Sequence, residues 1–308
     1  MTAIPVDPIK LADNFYQLGT PFFPVYLSVG DKAMIIEGGT SGTYEIIVSQ
    51  LAALNIDPAD IAYVALTHSH ADHIGAYPRI RARWPHVQIV AGQAAAKMLG
   101  NEKAIKQFHW LDQKIAQAMH DQQDIAEPPA SLDSWNFDVD MVVREGDAID
   151  LGGGIKWTVY EVPGHAPCQL AFLEESRGIM AIGDATGFYN PEKDALWPNY
   201  FDGLEIYCDS IKKLAGLPAK SLVLSHNGFQ GNAREFLAKA LRLTGEFHQE
   251  MLDRSGNGED PESIVADKSR WVKDIADRMP MKIIEPLSGL LIKLSLKAGP
   301  KPRKYFAL

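Results

Sequence analysis

Two hydrophobic patterns alternate along the chain: short apolar runs, and longer stretches with apolar positions three and four apart. Residues 26–29 and 33–37 are apolar runs joined by Gly30-Asp31, which predicts a β-hairpin. Gly38-Gly39-Thr40-Ser41 follows, and Ile46, Ile47, Leu51 and Leu54 then recur at helical spacing until Asp57-Pro58 breaks the helix. Residues 61–67 form a compact apolar run, which predicts a buried strand ending at His68. A short helix over 78–84 and a strand over 87–91 come next. From Gly92 to about Ala130 the apolar positions Met98, Ile105, Phe108, Leu111, Ile115 and Met119 predict a helical insertion. Strands return over 141–182, broken by Glu145-Gly146-Asp147 and the glycines 152–154. A helix over 202–214 and a last strand over 221–225 precede an all-helical end, at about 233–255, 261–279 and 282–296. Asp260 caps the second of these, with Pro261 at its first position. Two strand blocks with helices outside predict an α/β fold, an αβ/βα layered sandwich. Residues 1–231 would form its main domain, with the insertion at about 93–130, and residues 232–308 a helical region packing on it.

Composition narrows the setting. A chain of 308 residues, 46% hydrophobic and 22% charged, builds a large core and is neither disordered nor fibrous. No run approaches the roughly 18 apolar residues of a membrane span, and residues 1–10 lack the basic-then-apolar pattern of a secretory leader. The two cysteines, Cys168 and Cys208, have no CxxC spacing, so neither a disulfide framework nor a zinc knuckle is expected, and the cytoplasm is the natural setting. A net charge of -9 argues against nucleic acid as partner. The basic cluster Lys297, Lys301, Arg303 and Lys304 reads as a solvated tail.

The chemistry concentrates at His68, His70, Asp72 and His73, four ligand types in six residues directly after an apolar strand. In an extended segment His68 and His70 share a side, while Asp72 and His73 follow the turn and can address a second point. A polar turn capping a helix is the ordinary account of one HxH. The fuller spacing, set at a strand end, points to a metal. Imidazole and carboxylate suit zinc, and also iron or manganese.

The motif resembles that of the metallo-β-lactamase superfamily, and further landmarks follow in order: Pro163-Gly164-His165, Gly183-Asp184 after an apolar run, and Ser225-His226-Asn227-Gly228 after another. Five of the nine histidines stand on such positions, and the likeness runs from about Leu11 to Gly231. The resemblance implies a four-layer αβ/βα sandwich. It also implies two divalent ions, zinc first among the candidates, one held by His68, His70 and His165 and the other by Asp72, His73 and His226, with Asp184 bridging. A shared water, acidified to hydroxide by two cations, would attack a carbonyl carbon, with Asp72 also acting as the catalytic group that passes a proton. His70 stands where the oxygen-reducing di-iron branch carries glutamate, which favours hydrolysis over redox chemistry. Glu37 replaces an aspartate common in the family, and Ser-His-Asn-Gly departs from its usual last motif.

For substrate, the layout resembles glyoxalase II-like and quinolone-signal thioesterase-like members, which implies an acyl thioester. A lactone suits the same chemistry, and a metal-containing signalling protein that binds a partner through its helices is a third reading. Phe22, Phe23 and Tyr189 are candidate substrate contacts, with Phe188, Trp197, Tyr200, Phe201, Phe108 and Trp110 as further aromatic lining. The expected partner is a small molecule (acyl thioester, ester or lactone), with no nucleic acid and no membrane, and the apolar stretch 283–296 offers a homodimer face.

Overall fold

The computed structural model describes residues 7–132 and 135–308; the first six residues of the start read above lie outside them. Seven strands form one sheet in chain order: Ile9–Ala12 (β1), Phe15–Gly19 (β2), Pro24–Val29 (β3), Ala33–Ile36 (β4), Ile61–Ala65 (β5), Gln88–Gly92 (β6) and Met141–Val143 (β7). The first four pair antiparallel and the last four parallel. The crossovers carry helices Tyr44–Ala53 (α1), Ala71–Ile74 (α2), Tyr77–Arg83 (α3), Gln93–Leu99 (α4) and Glu102–Asp121 (α5).

The second sheet starts with Ala148–Gly152 (β8), Ile155–Glu161 (β9), Leu170–Glu174 (β10) and Ile179–Gly183 (β11). A separate hairpin of Phe188–Asn190 (β12) and Ala195–Trp197 (β13) interrupts it before Ser221–Leu224 (β14) and Phe229–Gln230 (β15). The sheet order is β15-β14-β11-β10-β9-β8, with β11 and β14 parallel. Leu204–Ala215 (α6), Ala233–Gly256 (α7), Pro261–Ile275 (α8) and Met281–Ala298 (α9) complete the chain.

Period-two alternation explains the layering, because successive side chains on a strand face opposite ways. On β4, Met34 and Ile36 point into the core between the sheets, while Ala33 and Ile35 join α1 and α3 through Ile47, Leu51 and Ile80. The second sheet repeats the device. Phe172, Ala181 and Val223 face inward, and Leu173, Met180, Ile182, Leu222 and Leu224 pack against α6–α9. Both faces of these strands are buried, so they read as continuous apolar runs and not as alternating ones. The result is a four-layer αβ/βα sandwich with helical C-terminal elements on its second sheet, the fold class expected.

Several elements differ from the expectation. β1 and β2 were not foreseen; Asn14, with φ of 56°, turns the chain between them, and the polar Gln17 masks a buried strand. The β12–β13 hairpin is three residues a side, too short to leave a pattern. β5 stops at Ala65, so Leu66 and Thr67 already belong to the loop carrying the histidines. Asp260 accepts from Ser263 N and caps α8, with Pro261 at its first position, as read.

The parallel pairs decide where chemistry can occur. β4 runs out at Glu37, β5 before His68, β11 before Asp184 and β14 before His226. Loops at such carboxyl ends are where open α/β sheets place their sites.

Candidate metal centre

The loop after β5 keeps His70 extended (φ -72°, ψ 153°) before α2 begins, so the chain turns between the HxH pair and Asp72-His73. His68 Nε2 and His70 Nδ1 are 3.1 Å apart, and His165 Nε2 is 2.9 Å from the same His70 atom. His165 arrives from the loop between β9 and β10. On the other side, Asp72 Oδ2 lies 3.4 Å from His73 Nε2 and 3.5 Å from His226 Nε2. Asp184 Oδ2 stands between the two halves, 3.6 Å from each of His73, His165 and His226.

Three ligand groups therefore emerge, each with its atoms within 4.8 Å of one another: His68-His70-His165, His68-His73-Asp184 and Asp72-His73-His226. Two donors bound to one tetrahedral ion at about 2.1 Å sit about 3.4 Å from each other. The spacings of Asp72 and Asp184 from the imidazoles match that edge and are long for hydrogen bonds. His73 Nε2 and Asp184 Oδ1 are buried with no hydrogen-bond partner among the described residues. Buried polar atoms seldom stay orphaned, and a divalent ion would satisfy His73 Nε2. The residues present fit two such ions.

Outer contacts aim the imidazoles. His226 Nδ1 donates to the Phe22 carbonyl at 2.8 Å, and His68 Nδ1 meets Thr67 Oγ1 at 3.0 Å. His73 Nδ1 lies 3.2 Å from Glu37 Oε2, while Glu37 Oε1 accepts from Thr67 Oγ1 at 2.6 Å and from Ser225 Oγ at 2.5 Å. Glu37 holds this position at a φ of 79°. One buried carboxylate thus ties together the ends of β4, β5 and β14. Glu37→Gln keeps the size and removes the charge that orients His73, so metal is expected to bind ~10–100-fold more weakly. Competition against a chelator checks this, and affinity equal to the parent would contradict it.

Charge divides the cluster. Burial lowers His68 well below its ordinary value and His165 to about 3, with neighbouring imidazoles adding to the effect. His70 falls for the same leading reason. Burial would raise Asp72 and Asp184, but the adjoining histidines outweigh it and hold both carboxylates well below the usual range. Burial also opposes charge on His73 and His226, yet Asp72 and Asp184 win, placing His73 well above its ordinary value and His226 at about 9. These directions favour the charged, proton-bearing forms of His73 and His226 in metal-free protein. Because the folded value of His226 exceeds its ordinary 6.5, its stabilisation of the metal-free fold is complete below 6.5 and lost as pH rises through about 9. Metal entry must expel such protons, so binding is expected to release them at neutral pH and to tighten as pH rises towards about 9. Calorimetry in buffers of differing ionisation enthalpy reads the release; heats independent of buffer at pH 7 would refute it.

Phe22, Phe23 and Phe188 set their rings against His226, at 5.6, 5.8 and 5.1 Å, and Phe201 covers His165 at 5.5 Å. Tyr189 goes elsewhere. Its ring meets Phe236 of α7 at 5.1 Å and its hydroxyl donates to Asp194. Neighbours on a strand face opposite ways, so the ring beside the cluster is that of Phe188 and not of Tyr189. Tyr200 is in the core bonded to Ser295, and Trp110 is exposed. Thr67 and Ser225, which hold Glu37, carried no signal of their own in the sequence. No helix among the described residues is long and apolar enough to cross a membrane.

A family model described as the metallo-beta-lactamase superfamily matches residues 24–226. The N-acyl homoserine lactonase AttM of Azorhizobium caulinodans is 31% identical over 230 residues, covering 67% of this chain and 80% of that protein. The probable metallo-hydrolase YqjP of Bacillus subtilis is 29% identical over 168 residues, 52% of this chain; the match spans only 51% of that relative. Among solved structures, an archaeal metallo-beta-lactamase superfamily protein from Sulfolobus tokodaii aligns with a TM-score of 0.56 at 21% identity, covering 78% of this chain and 86% of its own. A metallo-beta-lactamase mutant from Cronobacter sakazakii gives 0.58 at 19%, covering 82% and 99%. At these identities the structures speak for the fold.

Proposed function

The chain belongs to the metallo-beta-lactamase superfamily, and from that premise we propose that it is a dinuclear zinc hydrolase of neutral acyl substrates, lactones foremost. The observation that carries the reading is the set of overlapping ligand groups at one edge of the sandwich. His68, His70 and His165 would hold one ion, Asp72, His73 and His226 the other, and Asp184 Oδ2, equidistant from imidazoles of both groups, would bridge them. The imidazole-rich donor set favours zinc. When bound, such a pair supplies an acidified water and a Lewis acid for a carbonyl oxygen.

The chain's own residues do the rest. Asp72, 8% exposed beside two imidazoles, would carry a proton from the attacking water to the leaving oxygen. Phe22 and Phe188 pack on His226 and Phe201 on His165, which excludes water around the histidines.

We put lactones ahead of the acyl thioester expected from the layout, and two observations support that order. A curated relative at 31% identity is named a lactonase. Beside Phe22 and Asn227, a cavity of about 450 Å³ is lined by Asp124, Glu192, Asp274 and Asp277 against only Lys193 and Arg278, a net charge of two negatives. Both cations are already engaged, Lys193 by Asp274 and Arg278 by Asp124 and Asp277. Such a wall repels a polyphosphate and tolerates a neutral ring. The test is turnover of zinc-loaded protein on N-acyl homoserine lactones, p-nitrophenyl esters and acyl-coenzyme A. The expected kcat/KM for a lactone exceeds that for acyl-coenzyme A by ~10-fold or more. Preference for acyl-coenzyme A would restore the thioester reading, and no carbonyl hydrolysis with two metals bound would defeat both.

A further inference from the structure

A metal-ligating histidine keeps its aim only as well as the group on its other ring nitrogen is held. For His226 that group is the Phe22 carbonyl, which accepts from Nδ1 at 2.8 Å. Phe22 sits in the loop between β2 and β3. Phe23 N donates to Thr20 Oγ1 there, and Asn227 N donates to the Pro21 carbonyl. Neither contact fixes the Phe22 ring. Besides its neighbours Phe23 and His226, the ring meets Phe188, with centroids 5.2 Å apart, and the guanidinium of Arg278, 5.6 Å from its centroid.

Both of those contacts are set from one place, the end of α8 and the residues joining it to α9. Arg278 belongs to that connection. The hairpin carrying Phe188 is bonded to the same place: Asn190 Nδ2 donates to the Ile275 carbonyl and Lys193 Nζ to the Asp274 carbonyl, each at 2.9 Å. Lys273 Nζ stiffens the connection from within by donating to the carbonyls of Asp277 and Met279. Arg278 is itself locked. Its Nε and Nη2 each donate to an oxygen of Asp124 at 3.1 Å, and Nη1 donates to Asp277 at 2.6 Å. Asp124 closes the end of α5, where its amide donates to the Met119 carbonyl at 2.8 Å.

A guanidinium held by a two-point pair has a set plane as well as a set position. Its attraction to the ring then adds a directional contact on Phe22. A chain of direct contacts thus runs from the insertion through Arg278 and Phe22 to a ring nitrogen of His226, and the C-terminal helices supply its middle link.

We propose that Arg278 is a positioning residue for His226, and so for the ion that Asp72, His73 and His226 would hold. The guanidinium keeps Phe22 seated. The Phe22 carbonyl in turn keeps His226 Nε2 towards Asp72 and Asp184, 3.5 and 3.6 Å away. The inference rests on the two-ion reading of the cluster and on nothing about the substrate.

The experiment follows release of both ions from full-length, zinc-loaded protein to a chelator. Beside it, the visible d–d absorption of the cobalt-loaded form reports donor geometry. Arg278→Met keeps an apolar stem and removes the cation. One ion is expected to be held ~10-fold more weakly than in the parent, and the other unchanged, with the cobalt absorption altered for one equivalent alone. Asp124→Asn leaves Arg278 with Asp277 and loosens its other side. The same change in smaller measure is expected, and this variant decides the matter if Arg278→Met does not fold. Arg242→Met removes a surface pair with Glu246 and, as the control, should change neither reading. A lower melting temperature with parental release and absorption would make the ion pair structural only and overturn the proposal. Equal weakening of both ions would overturn the assignment to His226. A parent that binds fewer than two ions would defeat the two-ion reading, and the proposal with it.

Discussion

Asp184→Asn is expected to yield a folded protein that keeps fewer than two metal equivalents and hydrolyses its substrate ~10³-fold more slowly or worse. The reason is placement. One oxygen of Asp184 lies 3.6 Å from imidazoles belonging to both ligand groups, and no other carboxylate among the described residues does so. Asparagine retains the volume, so the surrounding core has nothing to collapse into. What it removes is the negative charge shared by both halves. The Asp184 carboxyl is held well below its ordinary 3.8 because histidine charges outweigh burial. Its stabilisation of the metal-free fold is therefore present above 3.8 and lost as pH falls through the lowered value. At neutral pH the substitution forfeits it, and metal-free Asp184→Asn should melt below the metal-free parent. Asp194→Asn, on the exposed hairpin turn, is the control and should alter neither metal content nor rate. Metal analysis alongside steady-state kinetics reads both quantities. Two full equivalents with a parental rate in Asp184→Asn would remove the bridge from the reading.

How far the site was legible follows from how its residues are spaced. His68, His70, Asp72 and His73 are local, and their crowding after an apolar run suggests a metal without any tertiary information. His165, Asp184 and His226 are single residues at the ends of buried strands, where any polar side chain would look alike; only their order, through the family resemblance, singled them out. The inner and outer faces of β4, β10, β11 and β14 could not be told apart, because both are apolar. Tyr189 is singled out in the sequence by standing five residues past Asp184, a spacing that does not tell its face from that of Phe188. On a three-residue strand nothing in the sequence sets the register, and a slip of one residue exchanges the two faces. Long-range polar contacts left no trace at all. Glu37 meets Ser225 across 188 positions, and Asp112 meets Ser41 across 71. The acidic wall is assembled from three separate segments, carrying Asp124, Glu192 and the pair Asp274 and Asp277, so its charge appears only on folding.

The second large effect belongs to a residue with no side chain. Gly164→Ala is expected to destabilise the fold by about 2–5 kcal/mol and to impair the His165 half of the metal centre. Gly164 has a φ of 135°, a conformation that L residues rarely adopt. A Cβ there would also lie 2.3 Å from Tyr207 Cα and 2.7 Å from Tyr207 N. Those are backbone atoms of α6, whose Tyr207 is fully buried. Neither side can yield cheaply. The loop is pinned on both flanks, by Asp202 N donating to the Gly164 carbonyl at 2.9 Å and by Ser210 Oγ donating to the Pro163 carbonyl at 2.6 Å. Relief therefore has to come from the loop swinging away from α6, and His165 is the next residue along. Its Nε2 stands 2.9 Å from His70 Nδ1 and 3.6 Å from Asp184 Oδ2, distances that do not survive a shift of an ångström. Metal content should fall towards one equivalent and the melting temperature should drop, even with excess zinc present. Ser210→Ala separates the two contributions, since it removes one pin without adding an atom. It should cost only about 1 kcal/mol and leave both metals in place. A Gly164→Ala protein with parental melting and two bound metals would show that the approach of the loop to α6 is dispensable.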